Sequence, residues 1–113
     1  MKLNRVLQLL GLAARAGQVT TGTEAVKNSI LRKKAYLLIL STDIADNSHQ
    51  ELKAACLRSG VRWIYCGDKN ELGQAVGKPY RVAVAVNEPR LAQRIISELD
   101  AGESPSTNMG VDK

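Results

Sequence analysis

Gly22, Thr23, Glu24 and Lys27 are the residues of this 113-residue chain whose types and spacing most invite chemistry. A glycine opens a helical segment, and a carboxylate and an amine follow it three residues apart. A buried helix start has no use for Glu24 and Lys27 side by side. A surface that reads nucleic-acid base edges can use both, because a carboxylate accepts from base N–H groups and an ammonium donates to ring nitrogens and carbonyl oxygens. A plainer account needs no ligand. Negative charge at a helix start and an i,i+3 pair would stabilise the helix by about 0.2–0.5 kcal/mol.

Charge leaves both accounts open, since a basic stretch can bind a polyanion or simply form a solvated face. The chain carries a formal +5, and residues 1–34 hold seven basic residues against Glu24 alone. The remaining nine basic and ten acidic residues nearly cancel, so the excess sits in the first third. A clustered basic surface attracts polyanions and speeds their encounter. Arg15, Arg32, Lys33 and Lys34 would supply that attraction without regard to sequence. A second basic stretch, Gly77-Lys78-Pro79-Tyr80-Arg81, carries one aromatic residue and can press on an unstacked nucleotide or its phosphates. A simple connector is the competing role.

Other constellations are weaker. The lone histidine, His49, falls just inside a helix start, where a solvated first-turn residue is more common than a catalyst. Asp43 and Asp46 follow an apolar strand at a place where α/β sheets bind ligands, but turn formation and capping account for them better. Trp63 and Tyr65 alternate in a strand, and core packing is their commoner role. Cys56 and Cys66 lack metal-ligand spacing and read as small buried hydrophobes in a reducing compartment. No Walker loop and no strand-linked GxGxxG occurs. No catalytic residue, metal or cofactor is therefore expected. No apolar run is long enough to span a bilayer, and the first residues lack a signal-peptide layout, so a cytoplasmic protein is expected.

The elements that position these residues follow from periodicity. Leu3, Val6, Leu7, Leu10, Ala13 and Ala14 predict an amphipathic helix over 3–15, stopped by Gly17. A short strand over 18–21 leads to a helix over 23–33, with Val26 and Ile30 inward and Glu24, Lys27 and Asn28 on another face. Residues 36–40 are wholly apolar, as in a strand covered on both sides. Ser48 with Glu51, and Asp68 with Glu71, match capping boxes at the starts of two further helices. Strands are expected over 61–66 and 81–86. A last helix starts at Asn87 and Pro89, with Leu91, Ile95 and Leu99 as its stripe. Alternating helices and strands imply an α/β fold, a three-layer α/β/α sandwich with a mixed four-stranded sheet. Residues 1–100 read as a single domain, and residues 101–113, in which Gly, Ser, Pro, Thr and Asn together dominate and apolar periodicity ends, as a disordered tail.

Several separated motifs resemble the ribosomal protein L-seven-Ae/L-thirty-e superfamily, especially its short bacterial branch. They are Leu10 to Gly17, Gly22-Thr23-Glu24 with Lys27, Ala35 to Leu40 followed by Ser41-Thr42-Asp43, Glu71-Leu72-Gly73 with Ala75 and Gly77, and Val82 to Val86. The resemblance spans roughly residues 3–99, and the order and spacing of the motifs make it specific. It implies an α/β/α sandwich that binds kink-turn RNA through the start of the second helix and the loop before the last strand. Gly22 would let the RNA approach the backbone. Thr23, Glu24, Lys27 and Asn28 would face the exposed purine edges. Lys78, Pro79 and Tyr80 would form the second loop. Two positions depart from the pattern: many members carry Asn where this chain has Thr23, and an apolar loop where it has Lys78-Pro79-Tyr80-Arg81.

The sequence thus points to a non-enzymatic, monomeric RNA-binding protein with structured RNA as partner, a kink-turn-like element of ribosomal RNA or another translation-linked RNA. The alternative is a protein-interaction module that docks on the ribosome or a translation factor.

Overall fold

The computed structural model describes residues 2–100 and 107–108. The Leu3 side chain, and the expected tail apart from Thr107 and Asn108, lie outside the described residues. Helices and strands alternate as α1 (Lys2–Arg15), β1 (Val19–Thr21), α2 (Thr23–Leu31), β2 (Leu37–Leu40), α3 (Asp46–Ser59), β3 (Trp63–Tyr65), α4 (Lys69–Ala75), β4 (Ala83–Val86) and α5 (Pro89–Asp100). A two-residue strand, β5 (Thr107–Asn108), pairs antiparallel with β3.

The sheet is mixed. β2 and β3 are parallel, while β4 lies antiparallel between β1 and β2, giving the order β1-β4-β2-β3 with β5 at the edge. The apolar run of β2 divides by parity, as a two-sided strand must. Leu37 and Ile39 join Val84, Val86 and Ile64 beneath Val6, Leu9, Leu10, Leu72, Ala92, Ile95 and Leu99 of α1, α4 and α5. Leu38 and Leu40 join Ala83, Ala85 and Trp63 beneath Val26, Ile30, Leu52, Ala55 and Cys56 of α2 and α3. This is the predicted three-layer sandwich. No helix among the described residues is long and apolar enough to cross a membrane.

Asp68 and Glu71 form the predicted capping box at α4. Ser48 and Glu51 do not. α3 begins three residues earlier, after Ala45 and not Ser48, and its start carries no side-chain cap. Asp46 supplies the first-turn carboxylate instead, which complements the helix dipole. At α5, Glu88 rather than Asn87 is the cap: its Oε1 accepts the Leu91 N–H at 2.7 Å. Asn87 turns inward. Its amide donates to Thr20 Oγ1 at 2.7 Å and accepts from Ser29 Oγ at 3.0 Å, tying β1 and α2 to the end of β4. Strand β4 is shorter than predicted because Arg81 leaves the ladder to donate its N–H to the Lys69 carbonyl at 3.0 Å.

Strand direction sorts the loops into two groups. Gly22 and residues 41–45, 66–68 and 81–82 lie at one end of the sheet, which residues 77–80 approach along α4, the Lys78 N–H donating to the Gly73 carbonyl and the Arg81 N–H to the Lys69 carbonyl. Residues 16–18, 32–36, 60–62 and 87–88 lie at the other.

Candidate nucleic-acid interface

The register Thr21↔Val84 brings the exit of β1 beside the entry of β4, so Gly22 and the Lys78–Arg81 loop are neighbours. The link is direct. Arg81 Nε donates to Thr21 Oγ1 at 3.2 Å, and the same guanidinium donates to the Tyr80 carbonyl at 2.7 Å. One side chain thus fixes the second loop to the residue before Gly22.

Gly22 has φ +95° and ψ 139° and precedes a helix start without a side-chain cap. Nothing lies within 4 Å of where its Cβ would stand. Its backbone angle therefore demands glycine, and packing does not. The start of α2 is left open, and first-turn N–H groups of a helix favour anions. Glu24 and Asn28 are exposed and Thr23 is half-buried. The inward face carries Val26, Ser29 and Ile30.

Lys27 departs from the simplest expectation. Its Nζ donates to Glu51 Oε2 on α3 at 3.4 Å, with the two side chains 32% and 50% exposed, so it forms an ion pair with Glu51 of the neighbouring helix. Exposed pairs of this kind contribute about 0–1 kcal/mol and are readily exchanged.

In the second loop, Lys78, Pro79 and Tyr80 are all exposed. The Lys69 ammonium sits 5.6 Å from the centre of the Tyr80 ring. A Cβ on Gly73 would collide with Tyr80 Cα and approach its N and C atoms to 2.8 Å. Gly73 therefore lets α4 serve as the floor of the loop. Sequence reasoning missed this contact, although an isolated glycine inside a helical pattern is its signal.

Arg32, Lys33 and Lys34 are exposed but lie beyond the far end of α2. At 1.5 Å per residue, the nine-residue helix separates them from Gly22 by roughly 13 Å or more. The structure ties the Tyr80–Arg81 end of the second loop to the residue before Gly22, with Lys78 held against Gly73 of α4, and leaves the basic triplet at the opposite end of α2. The elements that meet at this end of the sheet carry Lys27, Lys69, Lys78 and Arg81 together with Glu24, Asp43, Asp46, Asp68 and Glu71. The site is thus mixed in charge and not basic.

The remaining chemical candidates have structural employment. Asp43 Oδ1 accepts the Lys69 N–H at 3.0 Å, at the start of α4. His49 Nε2 lies 2.7 Å from the Tyr65 hydroxyl, with the rings edge to face. Burial and the Lys53 charge hold His49 below the ordinary imidazole value, against the opposing pull of Asp46. Trp63 is buried in the core. Burial pushes both thiols up to about 12, with Glu71 adding to the effect at Cys66, so neither is a thiolate at neutral pH.

Comparison with known proteins bears on this arrangement. The model of the Ribosomal protein L7Ae/L30e/S12e/Gadd45 family matches residues 4–96. The RNA-binding protein YlxQ of Bacillus subtilis is 35% identical over 92 residues, covering 81% of this chain and 92% of YlxQ. The large ribosomal subunit protein eL30 of Saccharomyces cerevisiae is 32% identical over 98 residues, 86% of this chain and 83% of eL30. Among solved structures, a protein of unknown function from Bacillus halodurans C superposes with a TM-score of 0.80 at 33% identity, over 84% of this chain and 96% of its own. The Giardia lamblia 15.5kD RNA binding protein shares the fold, with a TM-score of 0.74 at 24% identity, over 89% of this chain and 90% of its own. Motif order, sheet topology and these matches agree: the chain belongs to the Ribosomal protein L7Ae/L30e/S12e/Gadd45 family.

Proposed function

We propose that this protein binds structured RNA without catalysing a reaction, and that its target is a kink-turn-like element of ribosomal or other translation-linked RNA. The observation that carries the reading is the Gly22 start of α2, without a side-chain cap and tied by Arg81 and Thr21 to an exposed Lys-Pro-Tyr loop. Family membership and the RNA-binding relatives support it.

Gly22 admits a phosphate or sugar to the backbone. The open N–H groups of α2 donate to it. Glu24 accepts from a guanine N–H, and Lys27, once released from Glu51, donates to O6 or N7. Thr23 offers one rotating hydroxyl where an amide would offer a fixed donor and acceptor. Tyr80 supplies a flat ring for a splayed base, and Lys78 contacts the adjacent phosphate.

The test is a titration against a kink-turn RNA and a straight duplex of equal length at two salt concentrations. The reading expects tighter binding to the kink-turn RNA at both. Equal affinities with steep salt dependence would reduce the interaction to general electrostatics. Glu24→Ala is expected to weaken only the structured RNA, by ~1–3 kcal/mol. A variant that leaves RNA binding intact but loses ribosome association in a pull-down would favour the protein-docking alternative.

A further inference from the structure

The positive charge of the protein does not sit where the proposed RNA site sits. Gly22 and the loop before β4 share their end of the sheet with more acidic than basic residues. At the other end the balance reverses. The four segments 15–18, 32–36, 58–62 and 87–90 contain seven basic residues and a single acidic one, Glu88. That carboxylate already accepts the Leu91 N–H at 2.7 Å.

These segments meet at one end of the sheet. The Asn87 N–H donates to the Gln18 carbonyl at 2.8 Å, the Tyr36 N–H to Val86 at 2.8 Å and the Leu38 N–H to Arg62 at 3.0 Å. The Arg32–Lys34 triplet and Arg58 end helices α2 and α3 on one face of the sheet, whereas Arg90 starts α5 and Arg15 ends α1 on the other, with Arg15 also lining a cleft with Gln74 and Gly77. All of these cations are exposed. Among them Tyr36 is 50% exposed, so its ring is open to a base while the hydrogen bond to Val86 fixes its backbone. Lys33 adds an independent sign. It is the one non-glycine residue with positive φ among the described residues, at +62°, and hydrogen bonds from Lys33 to Ile30 and from Lys34 to Ser29 hold the turn. Glycine is the usual solution for such a helix end. A lysine there accepts strain in exchange for a cation, and strain of this kind gathers at functional surfaces.

We propose that this basic end of the sheet is a second contact surface for RNA, taking the phosphates of the segment that leaves the Gly22–Tyr80 site and runs along α2. The proposal rests on the RNA reading above. Helix α2 joins the two ends, and its outer face presents Glu24, Ala25 and Asn28 before it reaches Arg32. An RNA confined to the Gly22 end meets little net attraction. One that extends past α2 meets a run of cations with an aromatic ring for an unpaired base.

The experiment uses the full chain and two RNAs: a minimal kink-turn RNA, and the same RNA with the arm lying over α2 lengthened by one helical turn. The variants are Arg32→Gln/Lys34→Gln/Arg90→Gln together, Tyr36→Ser, and Lys78→Gln/Tyr80→Ser at the other end. Circular dichroism confirms that each is folded. Extension is expected to tighten wild-type binding. The triple variant should lose about tenfold or more on the extended RNA, lower the slope of log affinity against log salt by ~2–3, and change the minimal RNA less than twofold. Tyr36→Ser should weaken the extended RNA when its arm ends in unpaired bases. No gain on extension, or equal losses by the triple variant on both RNAs, would overturn the second surface. Loss by Lys78→Gln/Tyr80→Ser on both RNAs keeps the first site standing in that event. Were that variant to bind both RNAs as wild type does while the triple variant fails on the extended one, the first site would fall and the basic end would stand.

Discussion

Arg81 Nε donates to Thr21 Oγ1 at 3.2 Å across the antiparallel β1–β4 pair, and this bond joins two segments sixty residues apart into one surface. Thr21→Val keeps the β-branched shape that suits a strand but removes the acceptor. The guanidinium retains its bond to the Tyr80 carbonyl, so the loop loosens without melting. RNA affinity is expected to fall about fivefold, the equivalent of one hydrogen bond of ~1 kcal/mol, with only a small shift in thermal midpoint. A parallel filter-binding and melting series checks this. A large stability loss with unchanged affinity would make the bond a purely structural one.

Gly73 sits inside α4, where alanine would ordinarily be the better helix former by ~1 kcal/mol. Here the sign reverses, because the added Cβ would meet the Tyr80 backbone, with N and C atoms at 2.8 Å. Backbone cannot rotate away as a side chain can. Gly73→Ala is therefore expected to destabilise by about 1–3 kcal/mol in urea unfolding and to weaken RNA binding by displacing Tyr80. Stabilisation by the substitution would show that the loop does not rest on α4.

Much of this was legible in the sequence, for identifiable reasons. The wholly apolar run over 37–40 identifies a strand buried on both faces, and the observed alternation of Leu37 and Ile39 against Leu38 and Leu40 bears that out. Asp68 with Glu71 was legible because a capping box is a local device. Ser48 with Glu51 has the same spacing, yet Glu51 faces Lys27 from another helix. Which helices pack together is not encoded in a four-residue window. The separation of Arg32–Lys34 from Gly22 follows from the length of α2, since a helix is a rod. The Thr20–Asn87–Ser29 network and the Arg81–Thr21 bond join residues more than fifty positions apart, and no local pattern announces them.

Glu51 holds the Lys27 ammonium that the proposed RNA contact requires. Glu51→Gln removes the competing charge and keeps the shape. The pair is half-exposed, so its loss should change stability by less than ~1 kcal/mol. Affinity for structured RNA is expected to rise by roughly twofold to fivefold at low salt, and the gain should shrink as salt rises. Lys27→Met should abolish the gain when combined with Glu51→Gln. If the gain persists in the double variant, it reflects a general change in charge and not a freed Lys27.

His49 gives stability a pH dependence with a definite sign. Burial, then Lys53, lowers its pKa from the ordinary 6.5, while Asp46 pulls the other way. The folded protein therefore favours the neutral ring, with Nε2 at 2.7 Å from the Tyr65 hydroxyl. The unfolded chain takes up a proton first as pH falls. The contribution of His49 is thus complete above about 6.5 and declines as pH drops through that value toward the lower folded one. His49 is the sole histidine, so little else in the chain titrates between about pH 5 and 6.5, where carboxylates are still charged. Unfolding free energy measured by urea titration should slope downward between pH 7 and 5 in the wild type. The slope should flatten in His49→Gln, which has no group to protonate. Tyr65→Phe should leave the direction of the slope unchanged, because burial and Lys53, not the Tyr65 hydroxyl, lower the His49 pKa. Parallel pH profiles for wild type and His49→Gln would place the titrating group elsewhere.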